Sequence, residues 1–143
     1  MEYVLENDYL KVTVTTQGAQ VKSVLRKCDG VEHMWQADPS VWGYHAPILF
    51  PYCGKLVKDT LHVKGKDYPG KQHGFARNRE HTLLWQDKTS LELALESDEE
   101  TMELFPYDFR LVSTFTLEND QLHHTLTVEN PVEEPLPFGI GYH

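Results

Sequence analysis

Alternation of apolar and polar residues with a period of two recurs along this 143-residue chain and constrains its fold more than any other feature. Successive side chains of a β-strand point to opposite faces, so this period is typical of strands that bury one face. In the longest example, one face is formed by Leu111, Ser113, Phe115 and Leu117. A turn at 118–120 separates this run from a second run over 122–128. The two runs predict an antiparallel hairpin.

Three more pairs of runs carry the same pattern. They are 10–15 with 21–25, 61–63 with Tyr68, and 81–86 with 91–95. Only 97–105 favours a helix, and Pro106 would end it. Because short strands alternate with turns and no repeat or linker interrupts them, we expect an all-β, antiparallel β-sandwich.

Charge and composition exclude several classes of partner. The formal net charge of −9 at pH 7 predicts repulsion of nucleic acid and of anionic lipid. No run of about 18 apolar residues could span a bilayer. The first ten residues include Glu2, Glu6 and Asp8, which no signal peptide would carry, so we expect a cytoplasmic protein. Cys28 and Cys53 do not form a CxxC pair, and we expect two reduced thiols, each a buried core residue.

The histidines do not predict a metal centre, although there are eight of them. His123 and His124 are adjacent on a predicted strand, so their side chains point to opposite faces and cannot share one ion. The others lack the spacing of metal ligands. No GxSxG, P-loop or GxGxxG motif occurs, so we expect no cofactor.

The window 70–77 (GKQHGFAR) concentrates hydrogen-bonding side chains around small residues. Gln72, His73 and Arg77 offer donors and acceptors of three geometries, while Gly74 and Ala76 leave room for another group to approach the backbone. Such a set suits a hydroxyl-rich ligand such as a sugar. The alternative is a polar loop that only places an aromatic side chain in the core.

The last segment, 136–143, has the alternation of a strand, and its composition suits an interior strand near a site. Strand parity puts Gly139, Gly141 and His143 on one face, which predicts an open shelf beside a histidine. Histidine has an ordinary pKa near 6.5 and transfers protons readily at neutral pH. The alternative is that His143 is merely a terminal residue. Because this strand is followed by no cap, we expect the chain to be a fragment.

Both windows together resemble one family, the aldose 1-epimerases or mutarotases, in their bacterial LacX-like branch. The matching stretches follow the family's order: 46–51 (APILFP), 54–56 (GKL), 72–77 (QHGFAR), 106–109 (PYDF), 122–130 and 137–143 (PFGIGYH). The resemblance implies a galactose mutarotase-like supersandwich of about twice this length. Residues 1–143 would then be the N-terminal part of a single sandwich domain, which agrees with the abrupt ending.

The resemblance also implies a site and a reaction. Mutarotation opens a cyclic sugar and recloses it with the other configuration at C1. The family's general acid is matched by His143, the histidine that polarises the sugar is matched by His73, and Gln72 and Arg77 would line the sugar cleft. The family's base, a glutamate of the C-terminal half, has no counterpart in this chain. The stretch 42–45 lacks the arginine that clamps a sugar phosphate in some relatives, and Lys55 stands where relatives often carry arginine, so a neutral sugar is expected.

Two alternatives to an enzyme stay open at this point. The chain could be a sugar-binding module without turnover. It could also be a structural fragment whose incomplete sheet associates with another copy. A glutamate at the family position beyond residue 143 would favour the enzyme.

Overall fold

All four predicted hairpins are present in the computed structural model, which describes residues 1–143. The first sheet, in the order β1-β2-β3-β4, comprises Glu2–Glu6, Leu10–Thr15, Gln20–Arg26 and Val31–Glu32. The second sheet comprises β8 (Thr82–Gln86), β9 (Ser90–Glu96), β10 (Arg110–Glu118) and β11 (Gln121–Glu129). Its strands lie side by side in the order β11-β10-β9-β8. Every strand pair is antiparallel, as the alternation predicts.

The core lies between the two sheets. One side is formed by the alternate residues Leu10, Val12 and Val14 of β2, and the other by Leu111, Phe115 and Leu117 of β10. Each is at most 6% exposed. Burying a side chain of this size contributes roughly 1.5–3 kcal/mol, so the alternation itself drives the two sheets together. The predicted β-sandwich is therefore confirmed.

Two short ribbons lie beside the sandwich. In one, β5 (Ile48–Leu49) pairs with β12 (Gly141–Tyr142), and in the other β6 (Thr60–Val63) pairs with β7 (Lys66–Pro69). Two 3-10 turns span Val57–Asp59 and Ala76–Asn78. None of the helices is long and apolar enough to cross a membrane.

The helix expected over 97–105 is a single turn, α1 (Glu99–Met102). It begins where the Asp98 carboxylate accepts a hydrogen bond from the N–H of Thr101, while the Thr101 hydroxyl accepts one from the N–H of Asp98. It ends early because Phe105 is buried in the core, which requires the chain to turn inward.

Two further expectations are wrong. Within 136–143 only Gly141–Tyr142 is a strand, and the neighbouring Phe138 and Ile140 are 46% and 37% exposed. Cys28 and Cys53 are also exposed rather than buried. Cys28 lies in the turn between β3 and β4, and Cys53 lies in the loop after β5, so neither side chain has a sheet above it.

Candidate functional site

Phe50 joins the two sequence windows that carry the candidate site residues. Its side chain is fully buried, and its ring packs against Phe75, Phe109 and Phe138 at centroid distances of 6.4, 5.0 and 5.9 Å. Its carbonyl accepts hydrogen bonds from the N–H groups of Phe75 and Ala76, at 3.0 and 3.3 Å. The loop 70–77 is therefore fastened to the strand β5, which in turn pairs with β12 and positions the chain end.

His73 is held in a defined orientation by Gly54. The His73 N–H donates to the Gly54 carbonyl at 2.9 Å, and the Gly54 N–H donates to His73 Nδ1 at 3.0 Å. Since Nδ1 accepts, the neutral ring carries its proton on Nε2. The Gln72 side-chain nitrogen lies 3.2 Å from Nε2, and because both atoms are then donors they form no hydrogen bond with each other. Burial lowers the pKa of His73, and positive charge on Arg77 and His143 lowers it further. The ring is therefore neutral at pH 7 and can donate from Nε2.

His143 is brought to His73 by the β5–β12 ribbon. Its N–H donates to the Pro47 carbonyl at 3.1 Å, which extends the ribbon by one residue. Its ring lies 5.5 Å from the His73 ring, at an interplanar angle of 89°. On its other side the ring packs on Trp42, with centroids 4.7 Å apart. Two imidazoles that are far apart in the sequence thus share one surface, with an aromatic ring beside them.

Arg77 lies over a second aromatic ring. Its guanidinium carbon is 4.8 Å from the centroid of the Tyr44 ring, a cation–π geometry. One terminal nitrogen, Nη2, donates to the Gln72 carbonyl at 3.0 Å, while Nε is buried without a hydrogen-bond partner. The Tyr44 hydroxyl lies 3.2 Å from the Asn78 side-chain oxygen. Arg77 is therefore held in place by packing and still has an unused donor.

The 3-10 turn that carries Arg77 is anchored from behind by His81. This side chain is 1% exposed, and its Nε2 donates to the Ala76 carbonyl at 3.1 Å. Gly18 lies against the same turn, where a Cβ would be 2.4 Å from the Arg77 carbonyl oxygen. The turn is thus packed between the buried histidine and a close backbone contact.

The open shelf expected beside Gly139 and Gly141 is not present. A Cβ at Gly141 would lie 2.7 Å from the Cys53 sulfur, and one at Gly139 would lie 3.5 Å from the Tyr52 Cα. At Gly74, where a Cβ would be 2.1 Å from the Phe50 carbonyl oxygen, the approaching group is again the chain itself. At Gly74 and Gly141 the space that a side chain would take is filled by the loop 50–53, so these two positions leave no room for a ligand, whereas the distance at Gly139 is an ordinary van der Waals contact.

The surface that His73 and His143 share is open in this chain. A depression of about 250 Å³ touches the window 70–77 at Gly74 and Phe75, but neither His73 nor His143 lines it. No three His, Cys, Asp or Glu side chains converge as they would around a metal ion.

Two residues of this surface, Trp42 and Tyr44, were not predicted from the sequence as site residues. They lie in the segment 33–47, which contains no strand or helix, so no alternation marks their faces. Their loop is fixed because the Trp35 indole donates to the Trp42 carbonyl at 2.8 Å and the His45 N–H donates to the Gln20 side-chain oxygen at 3.2 Å. The available signal was the pair of aromatic residues, spaced by two, just before the stretch 46–51.

Two curated proteins are similar to the chain over its whole length. The chromosomal and plasmid LacX proteins of Lactococcus lactis subsp. lactis are 36% and 35% identical to the chain. Each match covers 100% of the chain and 50% of the relative, so the chain spans about half the length of the curated relatives it matches.

Solved structures show the same partial coverage. A galactose mutarotase related enzyme from Lactobacillus acidophilus is 39% identical with a TM-score of 0.97, covering 100% of this chain and 48% of that one. A galactose mutarotase-like protein from Lactobacillus casei is 32% identical with a TM-score of 0.95, covering 99% and 48%. The aldose 1-epimerase family model matches residues 1–143. The chain therefore belongs to the aldose 1-epimerase family.

Proposed function

We propose that the surface around His73 and His143 binds the anomeric end of a neutral aldose and supplies the acid side of aldose 1-epimerase chemistry. The observation that carries this proposal is the 5.5 Å separation of the two imidazoles, which lets both reach one small ligand. Membership of the family gives the class of reaction.

The two histidines would have different roles. In ring opening, a base removes the proton of the C1 hydroxyl, the bond between C1 and the ring oxygen breaks, and the ring oxygen takes up a proton. His143 would deliver that proton as the general acid, and the open-chain aldehyde would then reclose with either configuration. His73, neutral because its pKa is lowered, would donate a hydrogen bond from Nε2 without giving up its proton.

Arg77 and Gln72 would bind sugar hydroxyls. The Arg77 guanidinium supports this role, because it uses only Nη2 for a hydrogen bond within the chain, to the Gln72 carbonyl. Trp42 and Tyr44 would pack against the apolar faces of the sugar ring. The loop that carries them contains no arginine, and Lys55 extends toward Asp59 at 3.9 Å, which favours a neutral sugar over a phosphorylated one.

The base would come from outside residues 1–143. The glutamates nearest to the last segment in the sequence form ion pairs away from the two histidines. Glu129 pairs with Arg110 at 3.1 Å, and Glu134 pairs with Lys64 at 2.9 Å. Glu133 is exposed. Since relatives are about twice as long, we propose that residues 1–143 form the N-terminal part of a single mutarotase-like sandwich domain. The glutamate that takes the C1 proton would belong to the remaining part.

Calorimetric titration of glucose and galactose into the chain tests the binding half of this proposal. We expect the wild type to bind at least one neutral aldose, and Arg77→Ala to weaken that binding by about tenfold, or about 1.4 kcal/mol. Arg26→Ala is the matched control, because this exposed arginine pairs with Asp29 and should leave affinity unchanged. A wild type that binds none of these sugars would contradict the proposal.

Polarimetry of freshly dissolved α-anomers tests the catalytic half. We expect the chain alone to add little to the spontaneous rate, because the base is missing. In the whole protein, His143→Asn should lower turnover by about 10²–10⁴ with an unchanged melting temperature. A chain that is fully active alone would mean that the base was assigned wrongly. A whole protein that binds sugar without turnover would instead be a sugar-binding module.

A further inference from the structure

His81 is a buried titratable side chain that takes no part in the proposed chemistry. It follows Arg77 in the chain by four residues. Its backbone N–H donates to the carbonyl of Thr16, at the end of β2, with a distance of 2.8 Å. Its ring Nε2 donates to the Ala76 carbonyl at 3.1 Å. The residue therefore connects the first sheet to the 3-10 turn Ala76–Asn78, which carries Arg77.

Packing alone does not account for a histidine at this position. Its Nδ1 is buried without a hydrogen-bond partner, and an unpaired polar atom in the interior is destabilising. An apolar side chain of similar volume would fill the same space without that loss. Burial lowers the pKa of His81, so the ring is neutral at pH 7 and its one proton is on Nε2. What the histidine adds to the structure is the single bond from Nε2 to the Ala76 carbonyl.

Both peptide planes that flank the Arg77 Cα are held from within the chain. The Ala76 carbonyl belongs to the plane that ends at the Arg77 Cα, so the bond from His81 restricts the rotation of that plane. The N–H of Arg79 donates to the same carbonyl at 3.3 Å. In the next plane, Gly18 packs so closely on the Arg77 carbonyl that a side chain there would overlap it. The direction in which the Arg77 side chain leaves the backbone is thus set.

The Arg77 side chain is fixed less firmly than its backbone. It is only half-buried, and it is held by the stacking on Tyr44 and by one hydrogen bond to the Gln72 carbonyl. A cation–π contact near solvent is weak, and a long side chain has many rotamers. Because a small rotation of the backbone moves the end of a long side chain further than its base, the place of the guanidinium depends on the turn beneath it.

We propose that His81 is a positioning residue of the sugar site. Its bond to the Ala76 carbonyl orients Arg77 so that the guanidinium reaches a sugar hydroxyl, while His81 itself is buried behind the turn and touches no ligand. The inference rests on the proposed role of Arg77 in sugar binding. A hydrogen bond is lost when its donor moves by about 1 Å, so removing the bond from His81 weakens binding although every contact group is still present.

A double-mutant cycle, measured by calorimetric titration of glucose and galactose into the chain, tests the proposal. We expect His81→Leu to weaken binding by about fivefold when Arg77 is present and to have no further effect in the Arg77→Ala background. His81→Gln should restore most of the affinity, because its side-chain amide can donate near the position of Nε2. His123→Leu is the matched control, since it makes the same change at an exposed histidine of β11 and should leave affinity unchanged.

A measurement without sugar separates this inference from the proposed function. The Nε of Arg77 is buried, so its proton should exchange slowly with water and give a signal in a proton–nitrogen correlation NMR spectrum. We expect this signal to shift or disappear in His81→Leu and to persist in His81→Gln, with circular dichroism to check that each variant is folded. If His81→Leu does not fold, His81→Asn replaces it, because its shorter amide does not reach the Ala76 carbonyl.

The outcomes are distinct. A wild type that binds no aldose would contradict the proposed function, and the NMR signal would then decide by itself whether His81 positions Arg77. An unchanged Arg77 signal in a folded variant that lacks the donor would overturn the inference. Equal losses of affinity with and without Arg77 would overturn it as well, since His81 would then act through the stability of the fold.

Discussion

Acid should destabilise this protein through His124, which lies on the inner face of β11. Its ring stacks on Phe115 with centroids 4.1 Å apart, and Tyr142 lies edge-on at 5.3 Å. Burial lowers the pKa of His124 from 6.5 to about 4. The folded protein therefore keeps this ring neutral at a pH where the unfolded chain has already protonated it.

The sign and size of the effect follow from linkage. Between pH 6.5 and about 4 the unfolded state binds more protons at this residue, so the free energy of unfolding falls as the pH falls. Above pH 6.5 the His124 ring is neutral in both the folded and the unfolded state, so it no longer contributes to the pH dependence of stability. A pKa lowered from 6.5 to about 4 corresponds to about 3.4 kcal/mol of unfolding free energy, at about 1.36 kcal/mol per pH unit. We expect a loss of about 2 kcal/mol, because water reaches part of the ring and screens its charge.

Urea unfolding at a series of pH values and one fixed protein concentration measures this term. His124→Phe keeps the stacking on Phe115 and removes the titrating group, so its unfolding free energy should fall by about 2 kcal/mol less than that of the wild type between pH 7 and pH 4. His123→Gln is the control, since the neighbouring ring is exposed on the opposite face and should leave the acid loss unchanged. If His124→Phe loses as much stability in acid as the wild type, the reasoning is refuted.

Glycine substitutions and thiol chemistry provide two further checks. Gly74→Ala should cost about 2–5 kcal/mol in urea unfolding, because a positive φ is combined with a contact to the Phe50 carbonyl. Gly30→Ala has a similar φ of +71° but meets no atom within 4 Å, so about 1–2 kcal/mol is expected, and equal costs would contradict the packing account. Both Cys28 and Cys53 should react with an aromatic disulfide reagent in the native protein, whereas reaction only after denaturation would mean that they are buried.

Much of the sandwich could be predicted because its signals are local. The alternation over 111–117 marks one face of a strand whatever lies opposite, and a turn such as 118–120 sets which residues of the hairpin pair. The same local rule failed at 136–143. There the alternation was real, but only Gly141–Tyr142 is paired as a strand, because the residue after Leu49, Phe50, bonds through its carbonyl to Phe75 and Ala76 instead.

The sequence supplied the candidate site residues, and the structure supplied their surroundings. The window 70–77 and His143 were singled out by residue type and by family resemblance, and they do share one surface. Their roles toward a sugar remain predictions. Trp42 and Tyr44 went unpredicted because the segment that holds them has no periodic pattern. Their positions are fixed instead by hydrogen bonds of the segment to Trp35, Asp38 and Gln20 and by contacts with His143 and Arg77.

The sequence by itself determined the strands of the four hairpins, their pairing within each hairpin and the polar residues available for chemistry, since each depends on neighbours along the chain. Only the tertiary structure decided which histidines meet, because the approach of His143 to His73 depends on the pairing of β5 with β12 and on the bonds from Phe50 to the loop 70–77. The tertiary structure also decided which group packs against each glycine. A glycine permits a close approach without specifying the approaching group, and at Gly74 and Gly141 that group is the chain's own backbone and side chains rather than a ligand.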